Sequence, residues 1–368
     1  MLAFVLVGYL LLSAAFQWAS PPLEASDEAG HVGYVLTLRH RHALPVPDPV
    51  RPGLAHQESL QPPLYYALGA ALIAPLDTTA APAYFRRRPD SPIGRADLPG
   101  PRQMFQAPPS PPPDQTLLAV RVLRGWSMLL GLLAVVATYG ATRALSLEAP
   151  DRAAFAAAVV ACNPMFLFVT GAVNNDNLVT AALALLVAFT CRPGFDAAAP
   201  RAAAAVGAVI GVATLGKLSA VVALPMAVYR VVAAGGGIGR RARALGVLGS
   251  AFVAVAGAWF LRLAVLGIDP VEVSGRLASN LRPWPRPLAL VYEWDGFVKS
   301  FWGVFGAFNV IYSDAVYGAF FVLTALGLGS IALMLMRSSR RRDPRVVGLA
   351  ILAISNLAGV AFWTSRLM

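Results

Sequence analysis

The chain has 368 residues, of which 57% are apolar and 13% charged, with a formal net charge of +11 and a mean hydropathy of +0.62. A soluble domain carries roughly twice that charge fraction, so the composition excludes a soluble enzyme. The basic excess does not indicate nucleic acid either, because the arginines fall in short connections between apolar runs, where they set membrane topology.

Taken in order, the chain reads as an all-α polytopic membrane protein. Leu2–Trp18 is apolar and just long enough to cross a bilayer. It has no basic segment ahead of it and no good cleavage site in Ala19-Ser20-Pro21-Pro22, so it reads as a retained first span, residues 1–19. Residues 20–115 form a long polar loop with nine of the nineteen acidic residues. Leu64–Leu76 within it is apolar but too short to span, and predicts an interfacial helix entered through Pro62-Pro63. Residues 75–113 are crowded with proline and arginine and predict no regular helix. A transmembrane bundle over 116–266 follows, with spans near 120–142, 153–172, 178–191, 202–216, 218–232 and 244–266. A second outer loop, 267–314, precedes the last two spans, near 315–336 and 346–363, within residues 315–368. Lys217 marks either a tip between two short spans or a kink in one; with a tip, the spans number about nine. The two cysteines, Cys162 and Cys191, lie in or beside apolar runs and suggest no disulfide or zinc framework.

Arginine sets the orientation. With the N-terminus cytoplasmic, the connections 143–152, 192–201, 230–243 and 337–345 are basic, while the short connection 174–177 has no basic residue. Fifteen of the nineteen acids then fall on the outer side. Any chemistry is expected there, at the outer face of the plasma (inner) membrane.

Five constellations stand out. Asp27 and Glu28 follow the first span closely. A carboxylate there can serve as a general base, or simply cap the helix that starts near Ala29. His31 lies one turn from Asp27 and can tune it, bind substrate, or do neither. His56, Glu58 and Gln61 precede the interfacial helix and Tyr65 and Tyr66 open it; tyrosines at headgroup level are also ordinary anchors. Asn174-Asn175-Asp176-Asn177 is either a polar turn or a functional one. Lys217 follows an apolar run and either snorkels to the interface or pairs with an anion such as a lipid phosphate. Lys299 to Gly306, with Trp302 after Glu293 and Asp295, is an aromatic belt or a sugar-stacking surface.

In this order, Asp27-Glu28, QPPLYY (61–66), NPMFLF with the NNDNL turn (163–178), GKLSAVVALP (216–225) and SFWGVFG (300–306) resemble the polytopic GT-C glycosyltransferases. The likeness is to relatives of the protein mannosyltransferases of glycosyltransferase family 39, and especially to the bacterial family with an unassigned domain of that type. It covers about residues 1–310. The resemblance implies a GT-C-like helical bundle and inverting transfer of a sugar from a polyprenyl-phosphate to a glycan, lipid or protein acceptor. Asp27 is then the base, with Glu28 beside it and Asp176 as a second acid. His31, His56, Glu58, Gln61, Tyr65, Asn175 and Trp302 bind substrate, and Lys217 and Arg366 hold the donor phosphate. No resident cofactor is implied, and a divalent cation stays open. Relatives continue for several more spans beyond the element that Ser365-Arg366 opens, so the chain is expected to be a fragment, a short form or a degenerate copy. A transporter, a lipid carrier or a non-catalytic partner of a larger glycosyltransferase is the competing class. Clustering of polar groups at one face rather than at midplane favours the enzyme.

Overall fold

The computed structural model describes residues 1–46, 53–108, 110, 114–146, 149–268, 291, 294–336 and 343–367. Among these residues the architecture is all-α apart from one two-stranded hairpin. The helices are α1 (Leu2–Ala19), α2 (Glu28–Arg41), α3 (Leu64–Leu72), α4 (Thr116–Leu145), α5 (Pro150–Ala161), α6 (Pro164–Thr170), α7 (Asp176–Thr190), α8 (Pro200–Gly216), α9 (Leu224–Val232) and α10 (Ile238–Val265). After these come α11 (Trp294–Trp302), strands β1 (Val304–Phe305) and β2 (Val310–Ile311), α12 (Asp314–Met336) and α13 (Pro344–Leu367).

Among the described residues, five helices are apolar and long enough to cross a membrane: α1, α4, α10, α12 and α13. Three further apolar segments are shorter: Asp176–Thr190, Pro200–Gly216 and Leu218–Val232. The run expected as a single span over 153–172 is broken into α5 and α6, which meet at 66°. Pro164 supplies no N–H and clashes with a continuing turn. Asn163 restarts the helix, its side-chain oxygen accepting the Phe166 N–H at 2.9 Å. The segment expected over 218–232 opens as a 3-10 helix, Leu218–Ala223, before α9. Lys217 between α8 and that turn is extended, so α8 ends there rather than kinking.

The bundle is built on small residues. α8 is rich in Ala and Gly, and packs along α10 and α7, while α4 packs on α7, α5 and α1. A Cβ on Gly207 of α8 would stand 2.2 Å from the Leu248 carbonyl oxygen of α10. Without a hydrophobic drive in hydrocarbon, such close backbone approach is what holds helices together.

The first long loop is folded against one end of the bundle. α2 packs on α3, and Arg39 in the last turn of α2 donates to the carbonyls of Ile73 (3.2 Å) and Ala74 (3.0 Å), which end α3. Among its described residues the proline-rich segment holds no α-helix, only a 3-10 turn (Ala81–Phe85) and a bridge between Arg87 and Phe105. Buried Glu24 pins it, accepting the N–H groups of Met104 (2.5 Å) and Phe105 (2.9 Å). The β1–β2 hairpin closes over the same segment, Asn309 donating to the Arg102 carbonyl at 3.1 Å.

Candidate active site

The site begins where α1 ends. Two non-glycine residues, Leu23 and Asp27, adopt left-handed backbone with φ of 70° and 60°. They turn the chain back sharply into α2. Asp27 is the N-cap by its backbone, its carbonyl accepting the His31 N–H at 3.1 Å. Its side chain makes no capping bond. The exposed carboxylate is instead held by Gln57, which donates to Oδ1 at 2.6 Å. Left-handed backbone costs of order 1 kcal/mol outside glycine and collects at functional sites.

Glu28 faces the other way and is fully buried. Arg124 of α4 donates to it twice, from Nε (2.7 Å) and Nη2 (2.6 Å), and the Val173 N–H donates at 3.0 Å. Arg124 is itself 3% exposed and also donates to the carbonyls of Gln17, Ser20 and Pro21. This pair ties α1, α2, α4 and the turn before α7 into one knot.

The 3-10 helix His56–Leu60 lies across α2. Gly33 permits the chain leading into it, since a Cβ there would sit 2.1 Å from the Leu54 carbonyl oxygen. Glu58 and His31 are thereby buried together, with Glu58 Oε2 3.6 Å from His31 Nδ1. Nδ1 shares a 2.8 Å hydrogen bond with the Tyr66 hydroxyl, and the Tyr66 ring stacks on Tyr34 at 3.9 Å. Tyr65 shares a 2.7 Å bond with Ser127 of α4 and accepts the Asn174 N–H at 3.1 Å. The paired prolines thus position two tyrosines that clamp α2, α4 and the 174–177 turn.

That turn delivers the last groups. Asp176 opens α7, and both its oxygens accept from Lys217 Nζ, at 2.7 and 2.9 Å. The side chains are 41% and 30% exposed, so the pair reaches solvent. Asn175 is fully buried and donates to the Gly216 carbonyl at 2.9 Å and to Gln61 at 3.4 Å, while its own side-chain oxygen has no partner among the described residues. Asn174 accepts the Asp176 N–H, and Asn177 donates to the Val169 carbonyl.

The charges act on one another. Loss of hydration within the ring of protein raises the pKa of Asp27, and the Lys217 ammonium opposes it. Burial, with the Asp27 charge added, pushes Glu58 up to about 8 against the pull of Lys217. Burial, helped by Lys217, brings His31 down to about 3. At neutral pH Glu58 is therefore a protonated acid beside an uncharged imidazole. Between its ordinary value of 4.5 and about 8, the folded chain holds a proton on Glu58 that the unfolded chain releases. The stability this confers is complete below that window and lost as pH rises through it. Thermal unfolding in detergent is expected to show this loss in the wild type and not in Glu58→Gln, which keeps the shape without the titration. Equal pH slopes for the two would place the proton elsewhere.

Asp27, His31, Glu58, Gln61, Tyr65, Asn175, Asp176 and Lys217 thus converge, and Glu28 sits behind them. His56 is exposed beside Gln57 with φ of 44° and shows no side-chain bond to the cluster. Trp302 stands apart against α12: its ring stacks on Phe320 at 4.5 Å and its N–H donates to Thr324 at 3.0 Å. The Arg366 side chain, Glu293, and the loop acids Asp269 and Glu272 lie outside the described residues. Sequence reading misses Arg124 and Gln57. Arg124 carries a usable signal, an arginine within an apolar run; Gln57 carries none. Among the described residues no group of three or more His, Cys, Asp or Glu is placed to hold a metal ion.

No protein-family model matches the chain, and no curated protein matches it. Among solved structures it is similar to the S. cerevisiae protein O-mannosyltransferase Pmt1-Pmt2 complex bound to the sugar donor. The TM-score is 0.44 at 14% identity, over 76% of this chain and 35% of that one. The chain thus spans about a third of that neighbour. A likeness this loose leaves the function to be argued from the site.

Proposed function

We propose that the chain transfers a sugar from a polyprenyl-phosphate donor to an acceptor hydroxyl or amine, with inversion at the anomeric carbon. The observation that best supports this is Asp27: a carboxylate turned away from its helix cap, held by Gln57, and within the field of the Lys217–Asp176 pair. The acceptor atom attacks the anomeric carbon as its proton passes to Asp27. The bond from that carbon to the phosphate oxygen breaks, and its electrons leave on the lipid phosphate. Lys217 has three N–H donors and Asp176 engages Nζ through two contacts, which leaves one for a phosphate oxygen. An ammonium already in place where charge develops lowers the barrier without reorganisation.

In this reading Asp176 positions Lys217, and Glu28 positions the first turn of α2 through Arg124. Protonated Glu58 keeps a second negative charge away from the donor. His31, Gln61, Tyr65 and Asn175 form the wall against which donor and acceptor rest. Trp302 has one face stacked on Phe320 and would meet substrate only through the other. The arginine pattern of the connections supports placing this end on the outer side.

The test is donor affinity and turnover with a polyprenyl-phosphate hexose. Lys217→Ala is expected to weaken donor binding about 10–100-fold, the scale of a hydrogen bond to a charged group, and to spare binding of a soluble acceptor. Sealed right-side-out vesicles should glycosylate a membrane-impermeant acceptor. Unchanged donor affinity removes Lys217 from the phosphate, and a need for permeabilisation reverses the orientation.

A further inference from the structure

A cavity lined by four arginines lies away from the acidic cluster. α7 and α8 start and finish at opposite ends of the bundle. Asp176 opens α7, and Arg192 follows its end fifteen residues of helix later, a rise of about 22 Å. At that far end a cavity of about 450 Å³ is lined by Arg192, Arg230, Arg240, Arg345, Asp196 and Asp343. Two of the arginines are neutralised. Arg240 pairs with Asp196, and Arg345 pairs with Asp343 at 2.8 Å. The other two make no ion pair among the described residues. Arg192 sits exposed at the mouth, over the Phe189 ring. Arg230 is 8% exposed, its stem against Gly348 of α13 and its guanidinium over the Phe195 ring at 5.5 Å. It donates to the neutral Thr190 carbonyl at 2.8 Å, and the Asp343 carboxylate acts on its charge without a direct ion pair.

A nearly buried guanidinium whose direct contacts are a carbonyl and a ring, and whose nearby carboxylate, Asp343, is already engaged by Arg345, has its charge only partly met, and an anion can complete it. The planar fork of arginine matches the oxygens of a phosphate two at a time. A cavity of this size falls within the range that takes a small ligand. We infer that this cavity binds a phosphate-bearing anion, either a lipid headgroup or a soluble phosphate, with Arg230 as its floor and Arg192 at its entrance. Asp196 and Asp343 hold Arg240 and Arg345 in place and restrict the net attraction to the two unpaired arginines. The site is independent of sugar transfer.

The full chain is purified with Lys217→Gln in the background, so that phosphate held at the acidic cluster is not counted. It is titrated with inorganic phosphate, and separately placed in phosphatidylcholine nanodiscs with and without phosphatidic acid. Thermal unfolding is the readout. Stabilisation by inorganic phosphate is expected if the anion is soluble, and by phosphatidic acid alone if it is a headgroup. In either case Arg192→Gln, an exposed position that does not threaten folding, should weaken the effect about tenfold. Arg230→Lys keeps the charge but not the fork and should weaken it too. No stabilisation by either probe overturns the inference, as does stabilisation that both substitutions leave intact.

Discussion

Asp27→Asn is expected to slow sugar transfer by about 10²–10⁴-fold, the contribution of a positioned general base, with donor affinity and thermal stability close to wild type. The amide keeps the shape and can still meet Gln57, but it cannot take the acceptor's proton. Stability is spared because the side chain caps nothing: the first turn of α2 is held by the Asp27 carbonyl and by Glu28. The pH profile gives a second readout. The Asp27 pKa is raised by lost hydration, more than Lys217 lowers it. Wild-type turnover should therefore climb with pH as Asp27 ionises and then level off, and that limb should vanish from the residual activity of the variant. Near-normal turnover would remove Asp27 from the chemistry. A chain that binds donor tightly yet never turns it over, wild type included, would be a carrier or a partner rather than an enzyme.

The membrane-embedded elements are legible in the sequence because hydrocarbon constrains both length and composition. The first span expected over Leu2–Trp18 is found at Leu2–Ala19, and the short helix expected over Leu64–Leu76 starts at Leu64 but ends at Leu72. Local breaks are less visible. Pro164 lies inside the 153–172 run, but hydropathy averages over it, and the bend belongs to two residues. What joins the site is long-range and has no local signature. Asp176 and Lys217 are 41 positions apart and meet only because α7 leaves and α8 returns to the same end. The roles of the adjacent acids separate for the same reason. Asp27 and Glu28 look equivalent in sequence, yet a left-handed residue at 27 sends one carboxylate to solvent and the other into the core. The partner that settles Glu28 is 96 positions away.

That partner carries the second large effect. Arg124→Met is expected to destabilise the fold by about 3–5 kcal/mol, the usual cost of stranding one member of a buried ion pair. Glu28 would keep only the Val173 N–H, and the carbonyls of Gln17, Ser20 and Pro21 would lose their donor together. The loss falls on the knot that sets the turn at Asp27, so transfer activity should fall with the folded fraction. Thermal unfolding in detergent measures it. Glu28→Gln combined with Arg124→Met should recover part of the loss, because no buried charge is then left unpaired. If Glu28 were instead the base, Glu28→Gln alone would remove activity from a chain that unfolds at the wild-type temperature. The bidentate geometry and its burial predict the opposite: Glu28→Gln lowers the unfolding temperature, and any remaining folded protein still depends on Asp27.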